Sequence, residues 1–531
     1  MSEGQGVAEA APSVARSAAI LSLGNVLSRA LGMLREIVIP HYFGATGLVS
    51  AFAIAEFSVR TLYDLLVGGM LTAALVPVLS DYARDLARPE RRAEFAQVTS
   101  AVFTVLAALA AVFVLLVEIA APLLVALIGG GLPVAYQAVA VQLMRLTAPA
   151  LWMFTCSGAL AAILYSRQRF TLAALGDALY NLGIVLAVPL LHQRLGIRSL
   201  ALGILVGALI QLLLRLPDLR GLGIGISRRF RHPALRRMLK LYLPILGSVL
   251  VGVLQAGIDR RLASGAGESS LAYMRGATTL YQFPHGLVSV AISVAALPTL
   301  SRWAAASDWT AYRRTLGSSL RMVLVLIVPA TIGLWVLAQP TVRLIAQHGA
   351  FTAADAYWTA AALRYYLFGL VFAGLDWPLN FAFYARNDSR TPALVGVFSV
   401  LVYLVVALSL LDRLGFLGLA LADGAKHAAH ALVMFWLLQR RDGPLRQGVA
   451  RTAFVTLAAG LAMGAVVWVM ATALLDRLGE AGLLPRLAVV ILPAAAGGLI
   501  YYLILRALRL PETALVDRLA ARVAARLVIW R

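Results

Sequence analysis

The stretch AALVPVLSDYARDL (Ala73–Leu86) returns in altered form as AALPTLSRWAAASD (Ala295–Asp308), with Ser80 and Ser301 lying 221 residues apart. Two further patches recur at nearly the same offset. APLLVALIGGG (from Ala121) echoes QPTVRLIAQHG (from Gln339), with Pro122 and Pro340 218 apart. LYSRQRFTLAAL (from Leu164) echoes FYARNDSRTPAL (from Phe383), with Tyr165 and Tyr384 219 apart. A near-constant offset across three patches defines two homologous halves, 17–217 and 238–438. Each half holds six apolar segments, an even number, so both enter a membrane in the same direction. That is a parallel repeat, related by an axis along the membrane normal.

Composition agrees. Of 531 residues 61% are hydrophobic and 13% charged, against about a quarter charged in soluble domains. Apolar runs of about 20 residues, the length needed to cross a bilayer, recur from end to end. The expected fold is all-α and polytopic, with about 14 transmembrane helices in two six-helix lobes around a central cavity, plus two C-terminal helices. The expected boundaries are a cytoplasmic N-terminus over 1–16, lobes over 17–217 and 238–438, a basic linker over 218–237, helices 13 and 14 within 439–508, and a basic amphipathic tail over 509–531.

The net charge of +21 would point to nucleic acid in a soluble protein. Here the arginines sit in short loops, where they set topology. Arg84, Arg88, Arg91, Arg92, the block SRRFRHPALRRMLK (Ser227–Lys240), Arg313, Arg314, Arg386, Arg390, Arg440 and Arg441 fall on one side. Arg194, Arg198, Arg260, Arg261, Arg413, Arg477 and Arg486 fall on the other. The excess places both termini in the cytoplasm and offers a surface to anionic lipids. A single cysteine, Cys156 in an apolar segment, excludes a disulfide framework. No P-loop, HExxH or GxSxG motif occurs in a catalytic context, and His427 and His430 form a helical pair without a clear third metal ligand. The expected activity is transport, not catalysis, with no resident cofactor or metal.

Ionisable residues inside spans each cost about 2.5–3.5 kcal/mol and mark candidate sites. In the first span, Arg29 and Glu36 share a face about Gly32, while Arg35 points elsewhere on the helix. Glu36 is open to two readings, neutralisation of Arg29 or a place on the cavity wall. Glu56, Arg60 and Asp64 form an i, i+4, i+8 stripe in the second span. It reads equally as a self-satisfied ladder or as a cavity wall with coupling residues. In the second half, Asp259 and Arg275 stand near span ends, and Asp423 and Lys426, three apart, are expected to pair. Pro149, Pro244, Pro329 and Pro378 mark expected kinks.

The stretches SRALGMLREIVIPHYFGA (from Ser28), AALVPVLSDY (from Ala73), YQFPHGLVSVAISVAALPTLSR (from Tyr281) and YARNDSRTPAL (from Tyr384) resemble the lipid II flippase family, MurJ/MviN. That family lies within the multidrug/oligosaccharidyl-lipid/polysaccharide exporter superfamily. The resemblance spans nearly the whole chain. It implies a bacterial inner-membrane protein that moves a polyprenyl-pyrophosphate-linked sugar-peptide from the inner to the outer leaflet by alternating access, with cell-wall synthesis proteins as partners. It implies a V-shaped cavity and a groove along helices 13 and 14 for the lipid tail. The family's first-helix arginines carry over to Arg29 and Arg35; Arg60 and Arg275 join them as candidate substrate-binding residues. The family's second-helix acidic residue falls on Ser50, and its later arginine falls near Tyr63 and Asp64. The arginine ahead of the QFP patch falls on Thr279, one turn from Arg275. These departures keep open a different polyprenyl-linked glycan, or a small-molecule antiporter of the same fold. Arginine suits a pyrophosphate because its guanidinium matches two oxygens at once. Excess cavity charge would couple the cycle to the membrane potential, at about 2.3 kcal/mol per charge per 100 mV, with a coupling ion as the other energy source.

Overall fold

A computed structural model describes residues 24, 26–68, 70–169, 171–227, 232–479 and 482–513. Most of the expected amphipathic tail, the extreme N-terminus and part of the basic linker lie outside these residues. All regular structure among the described residues is helical, and it divides into two compact units.

The first unit comprises residues up to Ala272 together with Gly349–Phe351. Helix α1 covers 26–43, followed by α2 (Gly47–Tyr63), two π-helical turns (Asp64–Gly68 and Leu71–Leu75) and α3 (Val76–Tyr82). Then come α4 (Pro89–Gly129), α5 (Val134–Ser166), the single turn α6 (Thr171–Ala174), α7 (Gly176–Leu195), α8 (Arg198–Arg215) and α9 (Pro233–Gly265). In α4, Leu115, Ile119 and Leu123 are exposed while Ala110, Val117, Ala121 and Val125 are buried. In this part of α4 the leucines and the isoleucine face outward and smaller side chains pack inward, whereas nearer its start Phe95 and Leu106 are buried. In helix α5 Thr147, Thr155, Cys156, Ser157 and the alanines from Ala140 onward are buried. Burial pushes the Cys156 thiol into the role of an inert small apolar side chain.

The second unit starts within α10 (Ser270–Pro284) and continues through a π-helical stretch (His285–Val290), α11 (Ala291–Ala305) and α12 (Trp309–Val336). Next are α13 (Ala338–Ala346), α14 (Ala353–Tyr384), α15 (Arg390–Leu414), α16 (Phe416–Asp442), α17 (Val449–Leu478) and α18 (Leu483–Ala507). Its core runs from Leu300, Tyr312, Leu316 and Leu320 to Leu379, Phe383, Met434 and Leu438. A second apolar cluster joins α12, α17 and α18 through Val325, Met463, Val467 and Tyr501.

The internal repeat is visible in the backbone. The π-helical departures begin at Asp64 in one half and His285 in the other, the same spacing as Ser80 to Ser301. Loop chemistry repeats too. Arg167 donates to the Asp218 carbonyl and Arg169 pairs with the Asp218 carboxylate at 3.3 Å. In the second half Arg386, one repeat after Arg167, grips Asp442 with both terminal nitrogens at 2.7 and 2.5 Å.

Several expectations shift. By length and composition nine described helices could cross a membrane, ten with the bent pair in α9. Residues 315–345 are divided between two helices, α12 and α13, separated at Leu337. The segments flanking Pro244 meet at 45°, whereas Pro149, Pro329 and Pro378 lie inside continuous helices. The repeat puts the seventh span with the second half, yet α9 packs in the first unit, where Ala234, Met238 and Tyr242 join the core of α2–α5. The Tyr242 hydroxyl donates to the Leu65 carbonyl, an acceptor that the π-helical departure leaves available.

Candidate functional site

In the first unit α1, α2 and α7 bring a charged group together. Arg35 Nη2 lies 2.7 Å from Glu36 Oε1, and its Nη1 lies 3.5 Å from Glu56 Oε1. All three side chains are largely buried, at 16%, 10% and 13% exposure. The Tyr180 hydroxyl donates to the same Glu56 oxygen, and the Arg35 guanidinium lies 5.6 Å from the Tyr180 ring centroid. Glu36 therefore pairs with its neighbour Arg35 and not with Arg29, which is exposed and makes no ion pair among the described residues. Adjacent residues can meet here because the guanidinium turns back along the helix toward a carboxylate that water does not screen.

Glu56, Val59, Arg60 and Tyr63 of α2 line a cleft with Phe154 of α5, Tyr180 of α7 and Ile204 and Gln211 of α8. Tyr63, Phe154 and Tyr180 form a continuous aromatic wall, edge to face, with centroids 6.0 and 5.6 Å apart. Arg60 is exposed and makes no ion pair among the described residues. The i, i+4, i+8 stripe is thus not a ladder centred on Arg60. Glu56 turns to Arg35 and Tyr180, which leaves the Arg60 guanidinium available to the cleft. Asp64 is exposed where the π turns begin.

Asp259 sits on α9 and does not line this cleft; its neighbour Arg260 stacks over Phe57 at 3.8 Å. Arg275 belongs to the second unit, half-buried on α10, and its carbonyl accepts from the hydroxyls of Thr278 and Thr279. Ser50 is fully buried on α2. Asp423 and Lys426 pair at 2.5 Å as expected, and Arg145 donates to the Glu118 carbonyl.

The residues sequence reasoning missed are Tyr180, Phe154 and Gln211. Aromatics inside apolar spans carry no signal of their own. Gln211 and Arg215, four apart on an otherwise apolar helix, were the available cue. Arg215 proves to be a strut, buried at 4% exposure and bonded to the Ser157 carbonyl at 2.6 Å.

A bundle of membrane-length helices interrupted by π turns, with buried ionisable groups at an aromatic cleft, is the architecture of a membrane transporter. The family model of the lipid II flippase MurJ matches residues 39–490, and the chain belongs to that family. A probable lipid II flippase MurJ of Haemophilus influenzae is 29% identical over 464 residues, 84% of this chain and 90% of that protein. The lipid II flippase MurJ of Burkholderia cenocepacia is 28% identical, covering 78% and 82%. Among solved structures, a lipid II flippase MurJ in an inward closed conformation superposes with a TM-score of 0.74 at 22% identity, over 91% of this chain and 98% of that one. An inward-facing multidrug transporter of the MATE family, at 15% identity, reaches 0.65 over 79% and 96%. The fold is that of this exporter superfamily.

Proposed function

We propose that this protein is a lipid II flippase, carrying the polyprenyl-pyrophosphate-linked peptidoglycan precursor from the inner to the outer leaflet of the bacterial inner membrane by alternating access. The observation that supports it best is the family match across 39–490, joined to an arginine-bearing cleft of matching chemistry. In this reading Arg60 meets the pyrophosphate first. Arg35 follows when an incoming phosphate competes with Glu36 and Glu56 for its guanidinium, two charge-assisted contacts traded for two. The aromatic wall of Tyr63, Phe154 and Tyr180 suits the apolar face of a sugar. Glu56 and Glu36 then serve as counter-charges of the empty site. Arg29, Arg275, Asp64 and Asp259 have supporting roles along the path.

The arginine-rich loops place both termini in the cytoplasm and hold anionic lipids, and the membrane potential or a coupled ion supplies the energy. The cell-wall synthesis enzymes that consume lipid II are the natural partners. The test is flipping of labelled lipid II in proteoliposomes containing only this chain. Protection and exposure of label that match protein-free vesicles, with the chain correctly inserted, would overturn the proposal. Buried Ser50 and the Thr279 hydroxyl folded onto the Arg275 carbonyl favour one second reading, another polyprenyl-linked glycan. Competition by unlabelled glycan lipids separates the two.

A further inference from the structure

The second unit contains a buried charge cluster that the cleft does not use. Asp376 on α14 is 7% exposed, and both its oxygens are taken by histidines of α16. His427 Nδ1 lies 2.6 Å from Oδ2 and His430 Nδ1 lies 2.9 Å from Oδ1. An ionised carboxylate only accepts, so both Nδ1 atoms carry hydrogen, and each neutral ring keeps a lone pair on Nε2. His427 Nε2 faces Asp423 Oδ2 at 3.8 Å. Two acceptors facing one another in a poorly solvated interior repel. One proton on Nε2 converts that contact into a charge-assisted attraction. Lys426 Nζ, 2.5 Å from Asp423 Oδ1, competes for the same carboxylate.

The charge count points the same way. Asp376 and Asp423 are two negative charges and Lys426 one positive. With neutral imidazoles the cluster carries a net negative charge, and one added proton neutralises it. A membrane interior favours the neutral total. The groups facing the cluster from neighbouring elements do not supply that charge permanently. His285 of the π-helical stretch donates its Nε2–H to the Ala373 carbonyl at 3.1 Å and lies within electrostatic reach of Asp376, Asp423 and His427. Tyr281 of α10 lies within reach of both carboxylates. Helix α15 contributes Tyr403, buried twelve residues before the Gly415 turn as His427 is twelve after it. Its arginines, Arg390 and Arg413, are at its ends. Among the described residues no group of three or more His, Cys, Asp and Glu has metal-binding geometry, and a hard cation would seek the oxygens that the imidazole N–H groups occupy.

We propose that Asp376, His427 and Asp423 form a binding site for a single proton, loaded and unloaded during the transport cycle, with Lys426 as the cation that displaces it. The proton comes from water onto the Nε2 lone pair and returns to water; no other bond forms or breaks. Only the link to the cycle rests on the flippase reading.

The full chain, carrying ring-15N histidine in detergent micelles, is titrated by NMR, with the His427 signal identified by its loss in His427→Gln. Asp423→Asn should lower the His427 midpoint by at least one pH unit, a tenfold loss of proton affinity. Lys426→Gln should raise it, because Asp423 then faces His427 alone. Midpoints that stay put, or move together, would overturn the site, since a structural role predicts no opposed pair. Exchanging choline for sodium at constant ionic strength should change nothing; a sodium-dependent midpoint would instead assign a metal-cation site. In proteoliposomes, an imposed pH gradient should change wild-type lipid II flipping at least threefold and leave His427→Gln indifferent. Wild-type flipping that ignores the gradient would overturn the coupling. No flipping at all, with the titration as expected, would count against the flippase reading while upholding the proton site.

Discussion

Arg35 and Arg60 differ in their partners. Arg35 is held by two carboxylates at 2.7 and 3.5 Å, while Arg60 lines the cleft without an ion pair among the described residues. Arg60→Ala should therefore weaken cargo affinity at least about tenfold, since a hydrogen bond to a charged group contributes about 1.5–3 kcal/mol. Binding of labelled lipid II to the purified chain measures it. Glu56→Gln should act in the opposite direction, releasing part of Arg35 and tightening binding, with turnover slowed if release is limiting. Equal affinity in both variants would remove the cleft from the cargo path. Asp388, in the loop between α14 and α15, is a case of stability set by charge. Burial pushes its carboxyl up, but the Thr391 N–H and hydroxyl and the Arg441 guanidinium outweigh this and hold it below its ordinary 3.8. A lowered folded value stabilises the protein above the unfolded pKa and loses that contribution as pH falls through the folded one. The melting-temperature gap between wild type and Asp388→Ala should thus be constant at neutral pH and narrow below about pH 4.

Helix–helix contact in this molecule depends on glycine at particular crossings. A Cβ on Gly369 of α14 would lie 2.4 Å from the Gly424 Cα of α16, the same pair of helices that carries Asp376 and His427. Gly369→Val should cost about 1–3 kcal/mol by overpacking and lower the melting temperature. Gly396 of α15 has open space around its Cβ position, so Gly396→Ala should hold or gain stability, by up to about 1 kcal/mol of helix propensity. The paired result, read by thermal unfolding in detergent, separates packing from propensity. Helix positions were legible from apolar runs almost throughout. Breaks within them were not read: the π turns at Asp64 and His285 and the division of α12 from α13, although Pro284 directly precedes the π stretch at His285 and Pro340 stands in the first turn of α13.

For the whole molecule, the repeat and the all-helical class follow from segment count and spacing, and the exporter fold from the resemblance of the quoted stretches. At this scale the prediction is functional: a host depleted of its own flippase should regain growth and outer-leaflet lipid II when this chain is expressed. Well-inserted protein without rescue would count heavily against lipid II as the cargo. What the chain alone determined was set by local quantities, namely apolar length, loop charge and a 218–221-residue offset. These suffice because a membrane forces every apolar run into a helix that satisfies its own backbone. Which charges meet was decided only by tertiary structure. Nothing in the sequence ties Glu56 to Tyr180, 124 positions away, or Asp376 to His427 and His430. An ion pair is chosen by the distance and burial that folding creates, and in a poorly screened interior a few ångströms decide whether an arginine is neutralised or left for the cargo.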